Sequence, residues 1–269
     1  MRNDMWLAIY KKIWPKNLSS FLRETKSLKG RNISLVIAFE QPWALDWQLR
    51  IAQRNLMDNH AILVFDNSRR AAARLEIERV CRDRGAFYFA LPMNFTRHVN
   101  QSHGMAMSWV FHNIVRAIQP RMFAFLDHDL IPIEKISLAE RLANQPFYGD
   151  LRVNPWSWNL WAGYCLYNFQ AVANMLLNFL YDFSQKLDTG GRNWRCLYQH
   201  HEQQHLAYAK STSVTVKAPD MATPRAVQIV DNSWLHIGSI SYIKAYVSKA
   251  SYFCIRASRS TKESRHDVG

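Results

Sequence analysis

Two short patterns in this chain could do chemistry, and they imply different reactions. The first is Asp127-His128-Asp129, two carboxylates one residue apart at the end of the apolar run MFAFL (122–126). Divalent cations such as Mg2+ and Mn2+ take hard oxygen ligands. A carboxylate pair of this spacing can hold a cation that also bridges two phosphate oxygens. The second is His201-Glu202-Gln203-Gln204-His205, a full match to HExxH. On a helix its histidines stand one turn apart and can share a zinc while the glutamate activates water.

Frequency alone favours the second pattern. With 13 aspartates in 269 residues, about 0.6 Asp-x-Asp matches arise by chance, against about 0.01 for HExxH. Context reverses that order. The aspartates close a buried strand, and an open parallel sheet binds its ligand at the carboxyl ends of its strands. The HExxH segment lacks the extended zincin pattern, because Tyr208 and Ser211 stand where its glycine and third histidine belong. Asp220, Asp231 and His236 are the remaining third-ligand candidates, and none sits at a zincin spacing.

The elements that must position these groups follow from apolar periodicity. ISLVIAF (33–39), AILVFDNS (61–68), AFYFALP (86–92) and MFAFLDHDLIPI (122–133) are short apolar runs of the kind buried on both faces of a parallel sheet. Helical spacing occupies 43–58, 69–84 and 105–118 between them. Such alternation predicts an α/β domain, an open and mostly parallel sheet flanked by helices. Its strand ends carry Glu40 and Gln41, Asp66 and Asn67, Asn94, then Asp127 and Asp129. His128 is expected to point away from its neighbours, since strand side chains alternate.

The second half is less regular. PFYGDLRV and AGYCLYNF read as strands around a loop holding Trp156, Trp158 and Trp161, with helices near 170–186 and 198–210 and late strands in VTVKA and WLHIGSISY. The chain divides into an amphipathic basic segment (1–30), the α/β domain (31–245) and a basic tail (246–269).

A net charge of +13 draws phosphorylated ligands, anionic lipid or nucleic acid. No RNA-recognition signature appears, so no nucleic-acid partner is expected. In the first segment Trp6, Ile9, Tyr10 and Ile13 fall at helical spacing beside Lys11, Lys12, Lys16 and Arg23. That composition suits a helix lying on an anionic membrane, and equally one packed on its own domain with lysines outward. No stretch reaches the roughly 18 apolar residues of a membrane span, and no secretory leader is evident. Cys81, Cys165, Cys196 and Cys254 are scattered without metal or redox spacing. These features predict a cytoplasmic protein, in contact with the inner face of a membrane at most.

Residues 33–240 resemble GT-A glycosyltransferases of the broad family-2 kind, which include enzymes of bacterial surface polysaccharide synthesis. The resemblance is carried by ISLVIAFEQ, AILVFDNS, SHGMAMSWV, FLDHDLIPI, WAGYCLYNF and WLHIGS. It implies inverting transfer of a sugar from a nucleotide-sugar donor, with a UDP-sugar expected, to a glycan or lipid-linked acceptor, with Mn2+ or Mg2+ as cofactor. By the same resemblance Asp66 contacts the base with Phe39, Glu40 and Asn67 beside it, Asp127 contacts ribose or metal, and Asp129 ligates the metal. His236 matches a late histidine that completes the metal site in some members. The chain departs from the pattern in lacking the late Glu-Asp pair that supplies the base. Asp188 and Glu202 are the candidates, with Asp188 preferred because Gly190 and Gly191 let backbone approach a ligand. Trp156, Trp158, Trp161 and Tyr164 offer faces for an acceptor sugar. A zinc peptidase built on His201, Glu202 and His205, or a non-catalytic nucleotide- or RNA-binding protein, are the alternatives.

Overall fold

The computed structural model describes residues 2–96, 98–217 and 224–238. The tail 246–269 and Asp220 lie outside the described residues. Two helices open the chain, α1 (Arg2–Lys11) and α2 (Leu18–Glu24). The α/β core follows as β1 (Asn32–Ala38), α3 (Pro42–Asn55), β2 (His60–Asp66), α4 (Ala71–Asp83), β3 (Phe87–Ala90), α5 (Val99–Val110) and β4 (Met122–Asp127). The remaining strands are β5 (Leu130–Pro132), β6 (Phe147–Asn154), β7 (Ser157–Asn168), β8 (Ser211–Val216), β9 (Arg225–Val230) and β10 (Trp234–His236).

The main sheet has the order β3-β2-β1-β4-β7-β6. Its first four strands are parallel, and β7 and β6 complete it in antiparallel pairing. The α/β layout expected from the sequence is the one observed. Alternation along β1 explains the layering: Ile33, Leu35 and Ile37 pack with α5 on one face, Val36 and Ala38 with α3 and α4 on the other. A second, antiparallel sheet, β5-β10-β9-β8, packs Ile131, Ile229 and Leu235 against Ala44 and Trp47 of α3.

The break expected at the acidic residues of 122–133 is present, and the chain changes sheets there: β4 stops at Asp127, and β5 begins at Leu130 in the second sheet. Two expectations are corrected. The helix expected at 170–186 is confined to Phe169–Val172. Asn178 and Asp182 accept hydrogen bonds from the amides of Leu180 and Ser184, local turns that compete with a helix. The helix expected at 198–210 is reduced to 3-10 turns at Tyr198–His200 and Gln203–His205. Tertiary bonds take its amides, Ala207 N donating to Gln145 Oε1 and Ala209 N to Gly149 O.

The basic N-terminal segment packs on the domain. Leu7 and Tyr10 are buried, Tyr10 Oη donates to Pro92 O, and Trp109 Nε1 donates to Ile13 O. Tyr10, expected on the apolar stripe with Trp6, Ile9 and Ile13, therefore faces inward while those three stay outward. His112, just beyond α5, lies under this joint, its Nε2 3.1 Å from Leu177 O and 3.4 Å from Lys11 Nζ. Burial, and then the Lys11 and Arg116 cations, push its pKa down to about 4.

A histidine depressed in the fold is protonated more readily when unfolded, so stability is full above the unfolded value and declines as pH falls. The protein should lose stability between about pH 6.5 and about 4 through this group. His112→Gln, which keeps a donor for Leu177 O, should flatten that limb in urea midpoints measured across the range.

A candidate metal and nucleotide site

Asp127 and Asp129 flank the point where the chain leaves one sheet and enters the other. Asp127 ends β4 in register with Ile37 of β1. Asp129 precedes β5, and β5 pairs with β10, Leu130 opposite His236. That pairing brings the late histidine to the acidic turn. Ile237 N donates to Asp129 O at 3.2 Å and Gly238 N to Asp129 Oδ2 at 3.0 Å. His236 Nε2 lies 3.6 Å from Asp129 Oδ1. Donor atoms of Asp127, Asp129 and His236 all fall within 4.8 Å of one another, the one such group of three among the described residues.

The histidine is oriented from behind. Its Nδ1 lies 3.0 Å from Gln228 Oε1, so the tautomer protonated there leaves Nε2 free as a ligand. Its ring also packs on Trp161, with centroids 4.5 Å apart. The acidic turn is held from α3, where buried Gln48 Nε2 donates to Asp127 O at 2.6 Å and to Leu130 O at 2.9 Å. Burial pushes the Asp129 carboxyl above the usual carboxylate range. His236 and His128 pull it down, and Asp127 raises it further. A buried acid beside a second acid is short of positive charge, and two carboxylates with an imidazole form a donor set that fits a divalent cation.

These groups line one pocket with Phe39, Asn67, Arg69, Asn100, His103, Trp161 and Asp188. Of the sequence-expected nucleotide residues, Phe39, Asn67 and Asp127 reach it. Asp66 does not: it is fully buried, accepting from Ser68 N at 2.8 Å and from Tyr88 Oη at 3.1 Å. Glu40 is also committed elsewhere, its Oε1 accepting from Arg69 N and Arg70 N at the entry to α4 and its Oε2 paired with Arg70. His128 lines the pocket although alternation predicted it would turn away, because residues 128 and 129 form a turn and not a strand.

The four aromatic residues separate. Trp158 is buried against Phe147 and Tyr198, and Tyr164 donates to Asp231 within the core. Trp156 sits exposed at the β6–β7 turn with Lys186 over its ring. Only Trp161 of the four faces the pocket. A bulge does this: opposite the single residue Asp150 of β6, between the pairs Gly149–Cys165 and Leu151–Leu160, β7 carries the four residues 161–164. Gly163 completes the fit, since a Cβ there would overlap the Trp161 ring and come within 2.6 Å of Asp127 Oδ2.

The two base candidates also part. Asp188 lies in the pocket, Oδ1 accepting from Asn100 Nδ2 at 2.7 Å, on a loop where Gly190 takes φ +85°. Glu202 is exposed just ahead of the 3-10 turn Gln203–His205, outside the pocket, 3.2 Å from His205 Nδ1. His201 packs its ring edge-on against Phe147, so HExxH does not present two histidines on one helical face.

Sequence reasoning missed Gln48, Arg69, Asn100 and His103. His103 Nε2 stands 3.6 Å from Asp127 Oδ1. The expected helix began at 105, six residues after α5 starts, because its N-cap is His98, outside the usual capping set. The polar run Asn100–Ser102–His103 was the available signal.

No family model matches the chain, and a search of curated proteins finds no match. Among solved structures the chain is similar to S. aureus TarS, at 14% identity and TM-score 0.31 over 42% of this chain and 19% of that one. It is also similar to a mannosyltransferase from Pyrobaculum calidifontis solved with GDP-Man and Mn2+, at 9% identity and TM-score 0.39 over 63% and 54%. A third is the galactosyltransferase LgtC solved with donor and acceptor sugar analogs, at 13% identity and TM-score 0.37 over 52% and 58%. The chain thus spans less than two thirds of each of these chains.

Gln48→Met, similar in volume but without donors, strips hydrogen bonds from the Asp127 and Leu130 carbonyls. It should cost about 2–6 kcal/mol in urea denaturation, about 1–3 kcal/mol for each of two buried acceptors left unpaired.

Proposed function

We propose that this chain is a metal-dependent glycosyltransferase that moves a sugar from a nucleoside-diphosphate donor to a glycan or lipid-linked acceptor. The observation that carries the reading is the convergence of Asp127, Asp129 and His236 within 4.8 Å at the carboxyl end of a parallel sheet. The sequence resemblance makes a UDP-sugar the expected donor and surface polysaccharide synthesis, on the cytoplasmic side, the expected setting. Mn2+ suits the imidazole better than Mg2+ does. Bound there, the cation would supply Lewis-acid neutralisation of the diphosphate.

The chain's own residues have the remaining roles. Phe39 and Asn67 line the side on which the nucleoside docks, and Arg69 and His103 offer donors to phosphate oxygens. Trp161 gives the acceptor sugar an apolar face. Asp188, held by Asn100, takes the proton of the acceptor hydroxyl. The freed oxygen attacks the anomeric carbon, the bond from that carbon to the diphosphate oxygen breaks, and the diphosphate leaves with the electron pair. This single displacement inverts the anomeric centre. The zinc-peptidase alternative loses support because His201 and His205 do not share a helix.

Thermal denaturation with UDP, GDP and CDP, each with and without Mn2+, tests the donor site. One nucleotide should raise the melting temperature only with metal, by about 2.7 kcal/mol of added stability at a hundredfold excess over Kd. Asp129→Ala should abolish the shift while keeping the unliganded transition cooperative. A shift with zinc alone would overturn the reading.

For the base, Asp188→Asn should lower turnover by a factor of about 100 or more, whereas Glu202→Gln should leave it within about twofold. The reverse result would transfer the role to Glu202, and nucleotide binding without any turnover would mark a binding protein.

A further inference from the structure

We infer that the outward face of α1 and the turn after it form a docking surface for an anionic lipid bilayer. Met5, Trp6, Ile9 and Trp14 are exposed at 56%, 49%, 50% and 60%, and Ile13 completes the patch. Five large apolar side chains within ten residues of sequence exceed the scatter of single exposed apolar residues that a soluble surface carries.

The patch is not waiting to fold inward, because the other face of the same helix is already used. Leu7 and Tyr10 are buried. Asn113 Nδ2 donates to Lys11 O at 3.1 Å, Asn3 Nδ2 to Tyr181 Oη at 2.8 Å, and Arg192 pairs with Asp4. The helix is therefore clamped with its apolar stripe outward.

Charge selects the occupant. Residues 1–31 hold eight basic and two acidic side chains, a net of +6. Lys12 and Lys16, beside the patch, are exposed. A second copy would bring the same positive charge to this face and be repelled, whereas anionic headgroups are attracted to it. Two indoles among aliphatic residues, flanked by lysines, have the composition that settles at a bilayer interface. No described helix is long and apolar enough to cross a membrane.

The position of the patch gives the contact a use. Asn3 also accepts from Gln101 Nε2 at 3.1 Å, and the adjacent Asn100 lines the pocket. The first turn of α1 thus adjoins the pocket rim, and docking would hold that rim against the bilayer, where a lipid-linked acceptor is presented. This last step rests on the transferase reading; the lipid contact does not.

The test is co-sedimentation of the full chain with vesicles of phosphatidylcholine, alone or mixed with phosphatidylglycerol, without nucleotide or metal. Binding should require phosphatidylglycerol and weaken as salt rises. Trp6→Glu combined with Trp14→Glu should lower partitioning by about tenfold or more, with the melting temperature unchanged because both side chains are exposed. Asp129→Ala should bind vesicles like the parent chain, so failure of the metal site and failure of the lipid surface read out separately. Three results would overturn the inference: binding indifferent to lipid charge, binding unchanged in the double variant, or a dimer in solution that the double variant dissolves.

Discussion

The site depends on one antiparallel pairing, that of β5 with β10. Three residues of each strand are in register, Leu130 opposite His236 and Pro132 opposite Trp234. Because β5 starts three residues after Asp127 ends a strand of the main sheet, the acidic pair straddles the joint between two sheets. Asp127 is fixed by the parallel sheet, Asp129 by the amides of Ile237 and Gly238, and Gln48 ties the turn together through the carbonyls of Asp127 and Leu130 at its two ends. Without the pairing, His236 would have no reason to stand beside an acid 107 positions earlier in the chain. The hydrogen bonds that seat β10 beside β5 are also those that assemble the donor set.

The acids of this protein divide by whether their charge is answered from within. Asp231 accepts from the hydroxyls of Tyr148 and Tyr164 and pairs with Arg141 at 3.1 Å. Asp66 and Glu40 are spent on amides, a tyrosine and an arginine, and they hold the loop between β2 and α4. Asp129 differs: its neighbours are two histidines and a second acid, and burial works against its charge. In a chain of net charge +13 this is a local deficit of positive charge, the condition a bound cation relieves.

A similar division runs through the aromatic residues. Trp158 and Tyr164 fill opposite faces of the main sheet, although both have even numbers and strict alternation would put them on one face. The bulge at 161–164 changes the phase between them. The same extra residues turn Trp161 toward the pocket and seat Gly163 against Asp127. One irregularity in an otherwise regular strand thus separates a packing role from a binding one.

The sequence by itself determined the parallel core. β1, β2, β3 and β4 each read as a short apolar run, because strands buried on both faces carry an unbroken hydrophobic signal. It also placed Asp127 and Asp129 at a strand end, since that signal stops abruptly at charged residues. Tertiary structure alone decided which polar groups share the pocket. Gln48, His103 and Asn100 lie on helices whose spacing looks like any other, and only packing tells which polar side chain faces the site. HExxH had every residue of a zinc motif, yet its backbone is drawn into 3-10 turns by bonds to Gln145 and Gly149, groups more than fifty residues away. A motif reports the residues available. Long-range hydrogen bonds, formed only on folding, decide which of them meet.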